Sequence, residues 1–144
     1  MKYLPLFSIA LAFMLFCSGA QALTVEQQVT PQFVKDHPDR FKIAVEQREG
    51  MMHFKIVYTL REPRYLVSHF TARNETGVLA ESHCPLFARE HSATFYVDLS
   101  KECLANSRFT LSEHFFSSDN GQDVPIPGGT EYIVRLKDFA PASK

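Results

Sequence analysis

The chain predicts an all-β fold, a small antiparallel two-sheet sandwich of about seven strands. Three observations lead there. From Phe41 onward apolar residues recur at every second position, the period of a half-buried strand. Clusters of Gly, Pro, Asn, Asp and Ser punctuate these runs at short intervals. And no long stretch carries the 3.6-residue apolar period of a helix.

The first 22 residues are set apart from the fold. Lys2 is the lone charge, an apolar run extends from Leu4 to Phe16, and Ala20-Gln21-Ala22 offers the small-x-small pattern of a signal-peptidase site. The run is well short of the roughly 20 apolar residues a spanning helix needs. The expectation is a cleaved signal peptide, 1–22, and export to the periplasm or the medium, with no membrane span left after cleavage.

Residues 23–40 are the least sheet-like part of the remainder. Thr30-Pro31 followed by Gln32-Phe33-Val34-Lys35 reads as an N-cap, a first-turn proline and a short helical turn, which Pro38 stops. The β-domain proper is expected over 41–139. Phe41, Ile43 and Val45 alternate with polar neighbours. Gln47 to Gly50 breaks the run, and Met52, Phe54, Ile56, Tyr58 and Leu60 resume it, so the pair reads as a hairpin through Glu49-Gly50. Pro63 interrupts, because it lacks a ladder donor. Tyr65 to Arg73 then places Leu66 and Phe70 on one face and Tyr65, Val67 and His69 on the other. Asn74-Glu75-Thr76-Gly77 is a turn by composition, although Asn74-Glu75-Thr76 also matches a glycosylation acceptor. Val78 to Ser82 is the return strand, and His83 to Ser92 a loop carrying Cys84 and Pro85.

Ala93, Phe95, Val97 and Leu99 form the next strand, and Ser100 caps a helical turn containing Cys103. Phe109, Leu111 and Phe115 share a face of the following strand. Ser117 to Gly129 is a long irregular loop, Thr130 to Asp138 the last strand, and 140–144 a frayed tail.

Composition narrows the function classes. A formal net charge of −1 over 144 residues gives no basic surface for nucleic acid. Thirteen Phe and no Trp suit an aromatic interior between sheets. Of three cysteines, Cys17 leaves with the signal, and export puts Cys84 and Cys103 in an oxidising compartment. A bridge between them is expected, closing a loop of about 20 residues and contributing on the order of 3 kcal/mol. The layout resembles immunoglobulin-like architecture only in a generic sense. Its Cys-Trp-Cys core is missing, and both cysteines fall at predicted strand ends. A small closed barrel is the alternative.

Six histidines raise a metal reading, since imidazole suits copper and zinc. His53, His69 and His114 sit on outward strand faces, and His69 could approach His114 if their strands are neighbours. No pair has i, i+2 or i, i+4 spacing, so the plain reading is solvated histidines. His83 and His91 flank Cys84, a ligand set that the disulfide would remove. Glu113 falls in phase with Phe109 and Leu111, facing the core, and a buried carboxylate is costly unless paired. With a histidine it would be the only seed of a small hydrolase. Asp119, Asn120, Gly121 and Asp123 are oxygen-rich but lack the EF-hand spacing. Ile126, held between Pro125 and Pro127, is a candidate binding tip on a stiffened loop.

There is no glycine-rich phosphate loop and no nucleophile elbow. The expectation is therefore an exported, non-catalytic binding or interaction domain with no cofactor, its partner an envelope protein or a small ligand. The binding candidates are Ile126, Asp119 and Asp123. The metal candidates of the alternative are His69, His114 and His53.

Overall fold

The computed structural model describes residues 23–88, 91–119, 121–126 and 128–141, with the backbone alone at Phe87, Asp119 and Asp123. The expected signal peptide and the end of the expected tail, 142–144, lie outside the described residues. The rest is mostly strand, arranged in three sheets, none of them closed.

β1 (Thr24–Val29) opens the chain, followed by α1 (Pro31–Asp36). The helix forms as its sequence dictates: the Thr30 hydroxyl accepts the Phe33 N–H at 3.1 Å, and Pro31 occupies the first turn, where its missing donor costs nothing. β2 (Phe41–Arg48) and β3 (Met51–Thr59) are the expected hairpin. Glu49 and Gly50 both have positive φ, 49° and 82°, the two-residue turn whose twist matches the flanking strands. β3 also pairs with β6 (Ser92–Ser100), giving the three-stranded sheet β2-β3-β6.

The five-stranded sheet runs β1-β10-β7-β4-β5, with β4 (Arg64–Asn74), β5 (Gly77–Ala88), β7 (Arg108–His114) and β10 (Gly129–Arg135). β4 and β5 meet through Glu75-Thr76, where the Asn74 side-chain carbonyl accepts the Thr76 and Gly77 N–H groups and the Thr76 hydroxyl. Asn74 thus serves its turn. A two-stranded ribbon, β8 (Phe116–Asp119) with β9 (Gln122–Pro125), lies between β7 and β10.

One core fills the space between the larger sheets. Phe41, Met52, Phe54, Ile56, Tyr58, Val97 and Leu99 come from one side, and Val29, Leu66, Phe109, Leu111, Tyr132 and Val134 from the other. Rings meet across the layers: Phe41 with Tyr132 at 5.1 Å between centroids, and Phe95 with Phe109 at 5.2 Å. Burying such side chains supplies roughly 1.5–3 kcal/mol each, which makes this shared interior the main source of stability.

Several expectations are corrected. β1 is a strand, pairing in parallel with β10, where the sequence showed no sheet signal. Its inward phase is Val25, Gln27 and Val29, so a polar residue interrupts the pattern. β5 continues to Ala88, through the expected loop at His83. Every side chain from Val78 to Leu86 is exposed, so no face of this strand needed apolar alternation. Pro85 is tolerated because β5 is an edge. Phe115 leaves the face it was assigned: Phe109 and Leu111 are buried, but β7 ends at His114 and Phe115 is exposed. Ser117 to Gly129 is not irregular throughout, since it holds β8 and β9. The last strand stops at Arg135, and Leu136–Phe139 is a 3-10 helix.

The expected Cys84–Cys103 bridge is not present; both thiols are free, Cys84 exposed and Cys103 buried. Cys84 sits mid-strand, opposite Ser68 of β4. Cys103 belongs to the 3-10 helix Lys101–Asn106, which is tied to the far end of β4: the Ser107 hydroxyl donates to the Cys103 carbonyl and accepts the Arg73 N–H. Ser68 and Arg73 are five positions apart, roughly 16 Å at the usual rise of a strand. A disulfide spans no more than about 7 Å between Cα atoms. Ser100 is the N-cap of this turn, as expected, but its hydroxyl makes no capping bond and donates to the Cys103 sulfur at 3.4 Å.

Candidate functional site

The end of the five-stranded sheet where β7 stops and β4 starts carries a cluster of largely buried polar side chains. Tyr58 on β3 and Tyr132 on β10 are inward residues of opposite sheets, with ring centroids 5.5 Å apart. A buried tyrosine needs a partner for its hydroxyl, and here the partner is Glu113. The Tyr132 hydroxyl donates to Glu113 Oε2 at 3.4 Å and accepts from Arg40 Nη1 at 2.7 Å. The Tyr58 hydroxyl joins the same cluster, beside Glu113 and Tyr132. Arg64 closes it, its Nε 3.3 Å from Glu113 Oε1. Side-chain exposure is 13% for Arg64 and 15% for Glu113, so the pair is largely removed from water.

Burial foremost, and then the adjacent Glu113, raises the Tyr58 phenol far above its ordinary value, and the Tyr132 phenol moves the same way. Both rings are locked as neutral donors. Period two correctly turned Glu113 inward. What it meets is an arginine and two tyrosines. His114, its neighbour in sequence, points to the opposite sheet face by strand alternation, and its Nδ1 lies 2.7 Å from the Gly128 carbonyl. Glu113 is bonded here to Arg64 and Tyr132, and His114 does not share its face.

Arg64 also links this buried cluster to the ribbon beyond it. Its guanidinium stacks over the Phe115 ring, 4.3 Å from the centroid, and a further nitrogen bonds Glu62. Phe115 stands at the root of the ribbon. The Ile126 N–H donates to the Phe115 carbonyl at 2.9 Å, extending the ladder by one pair beyond Phe116–Pro125. Phe115 and Ile126 therefore face each other, with Ser117 and Val124 next along the same face. Phe116 and Pro125 fall on the alternate pair, where ladder bonds are not made and proline's missing donor is not needed. One face of the ribbon thus presents Phe115, Val124 and Ile126, which are 56%, 49% and 43% exposed.

The metal candidates are not brought together. The strands of His69 and His114 do pair, but the register sets His114 against Tyr65 and His69 against Thr110, four positions away. His53 lies on the other sheet. Each has a partner of its own: His53 Nδ1 is 2.7 Å from Asp98, and His69 Nε2 is 2.6 Å from Glu81. Among the described residues no group of three or more His, Cys, Asp or Glu side chains could hold an ion. His83 comes near His69, with ring centroids 6.1 Å apart. The side chains of Asp119 and Asp123 lie outside the description. Ile126 is 43% exposed, but it stands opposite Phe115 at the root of the ribbon and not at a loop tip.

Sequence reasoning missed Arg64, Phe115 and Val124. A signal for the cluster existed: Tyr58, Tyr132 and Glu113 all fall in inward phase, and such groups are stable together only if they satisfy one another. Among the described residues no helix is long and apolar enough to cross a membrane. No family model, curated protein or solved structure matches this chain.

Proposed function

We propose that this chain is an exported, non-catalytic binding domain, a two-layer β-sandwich that recognises its partner with the apolar face of the β8–β9 ribbon. The observation that supports this most is the grouping of Phe115, Val124 and Ile126 on one exposed face, with Arg64 anchoring its root to the buried Glu113 cluster. Scattered exposed apolar residues are ordinary on a soluble surface, whereas a contiguous group on a rigid support marks a binding site. Six of the nine large apolar side chains exposed among the described residues lie at this end: Leu23, Val25 and Leu86 accompany the three on the ribbon. The shared aromatic core supports the sandwich reading, and the Ala20-Gln21-Ala22 site supports export. The polar chemistry of the cluster is spent on holding the two layers together, which agrees with a binding role.

Immobilised wild-type and Ile126→Asp proteins offered to an envelope extract of the source cell test the proposal. A specific protein retained by the wild type should drop at least about tenfold with Ile126→Asp. The melting temperature should hold within a few degrees, because exposed substitutions usually change stability by no more than about 0.5 kcal/mol. Equal retention by both proteins removes the reading. So does a large fall in melting temperature, which would make Ile126 part of the core.

A further inference from the structure

β5 is an edge strand whose outer side pairs with no strand among the described residues. The three-stranded sheet covers β10 and β7, as the Phe41–Tyr132 and Phe95–Phe109 contacts show, and β5 extends past it. Which backbone groups are open follows from one residue. Val67 and Pro85 are paired, and proline has no N–H, so this is a pair without ladder bonds and the backbone of Pro85 points away from β4. Alternation then turns the N–H and C=O groups of His83 and Glu81 outward as well. The register shift at Ala72/Arg73 leaves Leu79 as a bulged residue. Between the bulge and the proline lies one flat window, Ala80-Glu81-Ser82-His83-Cys84.

That window is complementary to its own reverse. Placed antiparallel to a second copy about a two-fold axis through Ser82, it sets Glu81 against His83 of the other copy, twice. Ala80 meets Cys84 and Ser82 meets Ser82. The outward groups of Glu81 and His83 then form the bonded pairs, which is the parity that Pro85 dictates. The geometry points to a second copy of this chain as the occupant of the β5 edge, joining two five-stranded sheets into one continuous sheet. An isologous, two-fold contact of this kind closes on itself and cannot propagate into a fibre. The bulge and the proline confine it to five residues and block longer edge-to-edge pairing. Each Glu81 already engages His69 of its own chain at 2.6 Å, so the outer face at the axis gathers carboxylate and imidazole in alternation. The shortness of the window makes this a weak, concentration-dependent dimer, below the roughly 1,200 Å² of a standard interface.

Disulfide trapping reads the register directly. Ser82 faces Ser82 across a pair without ladder bonds, about 4.5 Å between Cα atoms, inside the range a disulfide accepts. The Ser82→Cys/Cys84→Ser protein should therefore oxidise to a covalent dimer at least about ten times faster than His83→Cys/Cys84→Ser or the wild type. Sedimentation at rising concentration gives the second reading. Glu81→Lys should abolish association, and Glu81→Lys with His83→Glu should restore it. All of these positions are exposed and leave the core untouched, so circular dichroism melts should be unchanged. Equal trapping at 82 and 83, ready Cys84–Cys84 bridging in the wild type, or a monomer at every concentration overturns the inference. None of these outcomes bears on the β8–β9 ribbon.

Discussion

Tyr58 and Tyr132 bring two hydroxyls into a dry interior, where leaving either unpaired would cost about 1–3 kcal/mol. Glu113 satisfies both, and burial raises both phenols, Tyr58 far above its usual range. The consequence for stability has a definite sign. A raised folded-state pKa means that above about pH 10, the ordinary tyrosine value, the unfolded chain loses phenolic protons while the native chain keeps them. Stability is thus fully present below pH 10 and falls as pH rises beyond it. Denaturant melts between pH 8 and 11.5 should show a steep alkaline loss in the wild type and a clearly shallower one in Tyr58→Phe. An identical slope in both would mean that Tyr58 ionises freely. At this scale the sequence was half legible. Strand phase put Glu113 inward, because alternation is a property of the backbone. Its partners come from β3, β4 and β10, with Arg40 joining through Tyr132, and no spacing along the chain announces that meeting.

At the scale of elements, legibility followed burial. β2, β3 and β6 could be read to within a residue or two because each has one buried face and so must alternate. β1 and the second half of β5 could not, because β1 fully buries only Val29 and every side chain from Val78 to Leu86 is exposed. The ribbon was hidden for the same reason: β8 and β9 pack lightly, and their Gly, Pro and Ser content reads as loop. Its return to β10 passes through Gly129, with φ 135°, where an added Cβ would overlap the Glu113 carbonyl oxygen. Gly129→Ala should therefore destabilise the protein by more than about 1 kcal/mol, since alanine must adopt a positive φ it resists. A fall of several degrees in melting temperature is expected; an unchanged melt would show that β7 and β10 can separate there at no cost. Glycine at this position was visible in the sequence. The close approach that requires it was not.

The whole molecule is held by one core shared between two sheets, and not by a staple. The cysteine expectation failed on geometry: two thiols left after an expected signal cleavage set a prior, but the fold puts Cys84 on an uncovered edge and Cys103 beneath the opposite end of β4. Reducing agent should accordingly leave the melting temperature within about a degree. Loss of a native bridge typically costs 2–5 kcal/mol and would lower it by many degrees.

The proposed function divides labour between core and ribbon: one face of β8–β9 carries binding, and stability does not need it. A photo-cross-linking residue placed at Val124, on the Phe115 and Ile126 face, and separately at Ser118, on the other face, tests it in the source cell. A discrete adduct from position 124 that is absent from position 118 is the predicted result. Equal adducts from both positions, or an adduct from 118 alone, would contradict it.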